Sequence, residues 1–75
     1  MNIPNDILIL LERVGFSKEE KVILLYLLKK SHTEINLQNV LPYVHENGRL
    51  RQEIINNKGK GLSHTQMMLN FIKEE

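Results

Sequence analysis

The sequence contains no cysteine, so it can form neither a disulfide framework nor a thiolate metal site. It also lacks a long hydrophobic stretch, because its longest uninterrupted apolar run covers only Val22 to Leu28, whereas a membrane-spanning helix needs roughly 20 residues. The opening Met1 to Asp6 has no lysine or arginine and therefore lacks the basic region of a secretory signal. We expect a cytoplasmic protein that does not enter a membrane.

The chain has 75 residues, which is enough for one domain, and we interpret residues 1–75 as a single helical domain. A core of this size is only marginally stable by itself, and small domains often gain stability from a partner or from a second copy.

Charge is distributed unevenly along the chain, although the net charge is only +1. Residues 1–48 carry five basic and six acidic side chains, whereas residues 49–66 carry four basic side chains against Glu53 alone. The positive charge is therefore concentrated in one stretch, as in proteins that bind nucleic acid, although a solvated basic face is an equally good explanation.

The first predicted helix spans about residues 6–14. Asn5 stands where it can cap the beginning of this helix, and Gly15 can adopt the left-handed conformation that ends it. The apolar residues of this segment cover more than one face of the helix, which predicts burial on several sides.

The second predicted helix runs from Ser17 to Lys30. Ser17 and Glu20 have the spacing of a capping box, and an apolar run then occupies residues 22–28. A helix that is apolar on all sides must be buried on all sides, so the first two helices form either the central core or an oligomer seam. For a homodimer or a protein partner, we expect these residues near the seam: Ile7, Leu11, Leu24 and Leu28.

Two further helices are predicted at residues 37–46 and 49–57, separated by the stop signal Asn47-Gly48. Pro42 either lies in the first turn of the former helix or breaks it into two pieces. In the latter helix, the side chains expected to face the core are those of Leu50, Ile54 and Ile55.

The last helix is predicted after the glycine-containing stretch 58–61, because Ser63 and Gln66 form a second possible capping box. Its apolar residues are Met67, Met68, Leu69, Phe71 and Ile72. No segment alternates apolar and polar residues in the manner of a strand. The predicted fold is all-α, a small bundle of four to five short helices.

No arrangement of residues predicts catalysis or a cofactor. The three histidines are 13 and 19 residues apart, too far for an i, i+4 metal-binding pair. The stretch from Lys58 to Ser63 lacks the spacing of a phosphate-binding loop, and capping explains Ser17 and Ser63 without a nucleophilic role. We therefore expect a protein that is not an enzyme and holds no metal or cofactor.

The sequence from Leu11 to Glu20, followed by the apolar run to Leu28, resembles the opening of MarR/TrmB-type winged-helix regulators. The resemblance covers roughly residues 8–62, but a helix is predicted after Leu62, where the family has its β-wing. It implies a helix-turn-helix-like fold that binds double-stranded DNA. Further matches are Val40, Leu41 and Val44 in the support helix, Asn47 as the cap of the recognition helix, Leu50 and Ile54 as its inward residues, and the following Lys60-Gly61-Leu62.

A second alignment is also open. Residues 52–54 together with residues 61–67 resemble a simple helix-turn-helix in which the last helix reads DNA.

Two functions remain open from the sequence. The first is a small DNA-binding transcriptional regulator that acts as a dimer, because a helix in the major groove needs long polar or basic side chains on its exposed face. The second is a helical protein–protein interaction module, such as an inhibitor or adaptor of a larger protein, which the apolar excess of the first two helices favours. The candidate DNA-binding residues are Arg49, Arg51, Gln52, Asn56, Lys58 and Lys60.

Overall fold

A computed structural model describes residues 3–45 and 47–74, and these contain five helices and no strand. The all-α prediction is therefore confirmed. None of the helices in these ranges combines the length and apolarity required to cross a membrane. The helices are α1 (Asn5–Arg13), α2 (Lys18–Lys30), α3 (Leu37–Val44), α4 (Arg49–Lys58) and α5 (Leu62–Lys73).

Helix α1 ends as predicted but does not begin as predicted. Gly15 has φ = 81°, and the Phe16 amide donates a hydrogen bond to the Leu11 carbonyl at 3.0 Å, which is the geometry of a glycine-terminated helix. At the other end, Pro4 is the N-cap, and no side chain accepts a capping hydrogen bond. The expected cap by Asn5 is wrong, because Asn5 is already the first helical residue.

Helix α2 begins with the predicted capping box. The Glu20 amide donates to the Ser17 hydroxyl at 3.1 Å, and the Ser17 amide donates to Glu20 Oε1 at 2.9 Å. The helix ends at Lys30, and two residues later His32 adopts φ = 54° without being glycine. The next amide, that of Thr33, donates back to the Leu28 carbonyl at 2.9 Å.

The core forms mainly around α2, which packs against α5 and α4, while α3 packs against α4 and α1. Helices α1 and α2 supply much of this core, as expected from their apolar sequences. The four proposed seam residues belong to it, because none is more than 1% exposed. Their placement at a dimer or partner surface was wrong, since the other helices of the same chain cover them: Ile7, Leu11, Leu24 and Leu28.

Helix α3 is shorter than predicted and remains one helix through Pro42, which lies in its second turn. Its cap is Asn36, whose side-chain oxygen accepts a hydrogen bond from the Asn39 amide at 2.9 Å. The helix ends at Val44, and Glu46, where the prediction ended it, lies outside the described residues.

The connection from α3 to α4 is tight at Gly48. Its amide donates to the His45 carbonyl at 2.9 Å, and a Cβ at this position would lie 3.2 Å from that same carbonyl oxygen. Gly48 is also the N-cap of α4, where no side chain forms a capping hydrogen bond. The implied capping role of Asn47 is therefore wrong.

Helix α5 occupies the place in the chain where the winged-helix family has its wing. Its N-cap is Gly61, with no capping side-chain hydrogen bond. The predicted capping box of Ser63 and Gln66 is wrong, because α5 begins at Leu62 and so includes Ser63.

The C-terminal end of α5 is held on α2 by Lys29. Its ammonium group donates to the Phe71 carbonyl at 2.6 Å, to the Ile72 carbonyl at 3.3 Å and to the Glu74 carbonyl. The same Nζ lies 4.9 Å from the centre of the Phe71 ring, and that ring packs edge-on against Tyr26 with centroids 5.3 Å apart. One side chain of α2 thus donates to three carbonyls at the end of α5, where intrahelical partners run out; of these, the Phe71 carbonyl also accepts from the Glu74 amide at 3.3 Å.

Candidate nucleic-acid interface

Helix α4 has one inward and one outward face. Ile54 is fully buried and Leu50 half-buried, as predicted, whereas Ile55 is 44% exposed and does not face the core. The outward face carries Arg49, Gln52 and Asn56 as exposed side chains at the helical spacing i, i+3 and i+7, and Glu53, also exposed, lies beside Arg49 at the edge of this face.

Arg51, also expected to contact DNA, belongs to the interior side of α4. Its Nη2 donates to Glu20 Oε2 at 2.8 Å, and its guanidinium carbon lies 4.3 Å from the centre of the Phe16 ring. The Arg51 side chain is 18% exposed and that of Glu20 only 9%. The assignment of Arg51 to a DNA surface is therefore wrong, because an ion pair and an aromatic contact within the chain already use its charge.

Both carboxylate oxygens of Glu20 have partners. Burial tends to raise the pKa of this carboxyl, but the Ser17 amide, Arg51 and Lys58 favour the charged form, and the net effect lowers its pKa. The residue therefore caps α2 through one oxygen and attaches α4 to α2 through the other. In contrast, Arg51 Nη1 is buried and has no hydrogen-bond partner within the described part of the chain.

Two of the expected basic residues lie where α4 gives way to α5. Lys60 is exposed. Lys58 is 47% exposed, and its Nζ lies 4.0 Å from Glu20 Oε2, so its positive charge interacts partly with Glu20. Nearby, Asn57 donates to the Glu53 carbonyl at 2.8 Å, and its Oδ1 lies 3.0 Å from Nε2 of His64 on α5. The Asn57 carboxamide is thus used to join α4 to α5.

The structure separates the six candidate DNA-binding residues into two groups. Arg49, Gln52, Asn56 and Lys60 are exposed, and no side-chain hydrogen bond or ion pair with another described residue occupies them. In the second group, the Arg51 side chain is directed inward, and that of Lys58 lies between solvent and Glu20. The sequence could not reveal this division, because Glu20 is 31 residues from Arg51 and its local pattern indicated only a helix cap.

A shallow groove lies elsewhere on the surface, between the beginning of α2 and the part of α5 from Leu62 to Leu69, with a volume of roughly 350 Å³. Its apolar lining comes from Val22, Leu62 and Leu69, and Lys18 and Glu19 bring opposite charges to it. Among the residues described, no three acidic or histidine side chains lie close enough together to hold a metal ion.

Several exposed apolar side chains were not anticipated from the sequence. On α3, Leu37 and Leu41 are 47% and 40% exposed, and Leu41 is one of the residues that the resemblance matched to the support helix. Leu8 on the adjacent α1 is 40% exposed. These residues lie in segments whose apolar side chains outnumber the positions that the core can enclose.

Comparison of the chain with protein-family models, with curated proteins and with solved structures gives no match.

Proposed function

We propose that this protein is a small DNA-binding transcriptional regulator that acts as a dimer and contacts duplex DNA through the outward face of α4. The observation that carries this proposal is the line of Arg49, Gln52 and Asn56 on that face. Long polar side chains that emerge from one side of a helix can reach the edges of bases in the major groove.

The surroundings of this face favour the same function. Exposed Lys60 and partly exposed Lys58 follow the end of α4, where they can meet phosphates of the backbone. The first turn of α4 contains no acidic residue and no capping side chain, so its free amide groups and positive dipole do not repel a phosphate. The attachment of Arg51 to Glu20 holds the helix in place behind this surface.

Helix α4 is a better reading helix than α5, which the second alignment would choose. From Leu62 to Asn70, α5 contains no lysine or arginine, and its outer side carries exposed Leu62 and Met67. A helix without cations on its outer side lacks the phosphate contacts that provide most of the affinity for DNA.

A salt titration of duplex binding, followed by fluorescence anisotropy, tests the proposal. The parent protein should bind a mixed-sequence duplex at about 50 mM salt, and Lys60→Ala should reduce the slope of log affinity against log salt by roughly 0.9, because one phosphate contact is lost. Lys73→Ala, at the far end of α5, is the matched control and should leave the slope unchanged. A parent protein that binds no duplex at this salt concentration would rule out the DNA function.

A second function, that of a protein–protein interaction module, is favoured by exposed Leu37 and Leu41, which lie one turn apart on α3. Such apolar residues, together with Leu8 on neighbouring α1, are typical of contact surfaces. The same residues are available to a homodimer, since the four expected seam residues are internal. Light scattering at micromolar concentration distinguishes a homodimer from a surface kept for a different protein. A dimer mass that Leu37→Gln converts to a monomer mass supports self-association, and a monomeric parent contradicts the dimer.

A further inference from the structure

The outward face of α4 presents carboxamides as well as a cation, and this mixture bears on which DNA sequence it would select. Of the three carboxamide side chains on α4, Asn57 is engaged with Glu53 and His64. The other two, Gln52 and Asn56, are exposed and four residues apart, which places them on one side of the helix.

A carboxamide has one donor and one acceptor side by side. Adenine presents the complementary pair in the major groove, its N6 amino group and N7, and asparagine or glutamine can bind both at once. Guanine offers two acceptors at the same edge and is matched by arginine or lysine. The carboxamides of Gln52 and Asn56 are therefore complementary to adenine, and each can form two hydrogen bonds with it.

The spacing along α4 sets the distance between the two bases. Four residues of α-helix advance about 6 Å, and successive bases on one strand of DNA are about 3.4 Å apart. Two side chains with this offset reach bases roughly two base-pair steps apart when the helix lies along the groove. Ile55, which is 44% exposed beside them, can contact the methyl group of a thymine paired with adenine.

Resting on the proposed DNA-binding function, we infer that α4 selects duplexes containing two adenines about two base pairs apart, with Gln52 and Asn56 each contacting one of them. The specificity comes from these two carboxamides, whereas Arg49, Lys58 and Lys60 contribute mainly salt-dependent affinity.

Selection from a random duplex pool tests this inference. The parent protein is mixed with the pool, the bound duplexes are recovered and sequenced, and anisotropy is measured on the enriched duplex and on duplexes with a single adenine replaced by guanine. Each replacement should weaken binding roughly 5- to 150-fold, the range expected for loss of one two-bonded base contact.

The variants assign each contact. Gln52→Ala should abolish discrimination at one adenine position and Asn56→Ala at the other, while the salt slope remains that of the parent. Gln66→Ala, an exposed position on α5, is the matched control and should retain both preferences. Because all three side chains are exposed, circular dichroism should give the same helix content for each variant as for the parent.

The possible failures are distinguishable. If the parent binds duplexes with the expected salt slope but enriches no adenine pair, or if Gln52→Ala and Asn56→Ala retain the parent's preference, the inference is overturned and the proposed function stands. If the parent binds no duplex at low salt, both are overturned.

Discussion

At the scale of single residues, Arg51 illustrates how burial divides side chains of the same type. Its local sequence resembles that of Arg49, and both lie among the basic residues of the stretch from 49 to 66. Because α4 turns by about 100° per residue, Arg51 emerges toward α2 and meets Glu20 and Phe16, whereas Arg49 emerges toward solvent. Sequence reasoning can assign the charge but not the partner, since the partner comes from a helix that is distant in the chain.

The Glu20–Arg51 pair makes the stability of the fold depend on pH. The pKa of Glu20 is lowered in the folded state from its ordinary value of 4.5, so the unfolded chain takes up a proton first as the pH falls. The stability that the charged Glu20 carboxylate contributes is therefore complete above pH 4.5, and it is lost as the pH falls through the lower folded-state pKa. Chemical denaturation should show that the parent exceeds Glu20→Gln in stability near neutral pH, and that the difference shrinks in acid.

Glu12→Gln is the control for this pH experiment. Lys21 lowers the pKa of Glu12 through a hydrogen bond on the surface, and exposed ion pairs contribute little to stability. A difference between the parent and Glu20→Gln that stays constant from neutral pH into acid would contradict the role of the charged carboxylate.

Leu24 tests whether helix α2 is enclosed in a core. Leu24 is fully buried, whereas Leu62 is 78% exposed. Leu24→Ala should lower the free energy of unfolding by about 2–5 kcal/mol because it leaves a cavity, whereas Leu62→Ala should change it by less than about 0.5 kcal/mol. Equal thermal shifts for the two variants would show that Leu24 is not enclosed.

At the scale of helices, the sequence predicted the ends of a helix correctly where a single capping arrangement is available. The Ser17–Glu20 box and Gly15 were identified correctly because both signals are local and satisfy backbone groups directly. Asn5 and Ser63 were assigned as caps because of their residue types, yet Pro4 and Gly61 begin those helices. A capping side chain stabilises a helix by about 1 kcal/mol. Packing of α1 and α5 on the core can contribute a similar free energy and so can move the first residue of each helix away from the residue that would cap it.

The end of α2 offers a stabilising substitution. His32 has φ = 54°, a left-handed conformation that glycine adopts without strain. His32→Gly should raise the free energy of unfolding by several tenths to about 1 kcal/mol, because the relieved strain exceeds the greater freedom of glycine in the unfolded chain. His45→Gly is the control: His45 has φ = −64°, so glycine should lower stability there. Thermal melts followed by circular dichroism measure both, and a lower melting temperature for His32→Gly would refute the expectation.

The C-terminal end of α5 is attached to α2 by a single ammonium group, in addition to the packing of the two helices. Lys29→Met retains much of the aliphatic length but removes the donors to the carbonyls at the end of α5, and it should lower stability by about 1 kcal/mol. Native-state hydrogen exchange of Lys29→Met should be faster than that of the parent, and the increase should be larger in the last turn of α5 than in α2. Lys30→Met is the control, because Lys30 is exposed and lies 5.7 Å from the Tyr26 ring. Identical exchange in both variants would exclude this anchoring role.

At the scale of the whole molecule, the fold class was predictable, whereas the allocation of surfaces was not. The apolar excess of α1 and α2 correctly indicated a core, but it could not show whether the same chain or a second copy encloses Ile7 and Leu24. That depends on how α3, α4 and α5 pack, and the exposed leucines that result lie on α1, α3 and α5. The candidate site on α4 stays a prediction, and only the orientation of this helix distinguishes its exposed residues from half-buried Arg51.

The attachment of α4 to α2 also has a consequence for the thermodynamics of association. Glu20, Phe16 and Arg51 hold the helix before any partner arrives, so binding does not need to form α4. Coupled folding on binding buries a large apolar area and produces a large negative change in heat capacity. A preformed polar face that meets DNA instead releases counterions and buries little apolar surface. The enthalpy of binding, measured by titration calorimetry, should therefore vary only weakly with temperature.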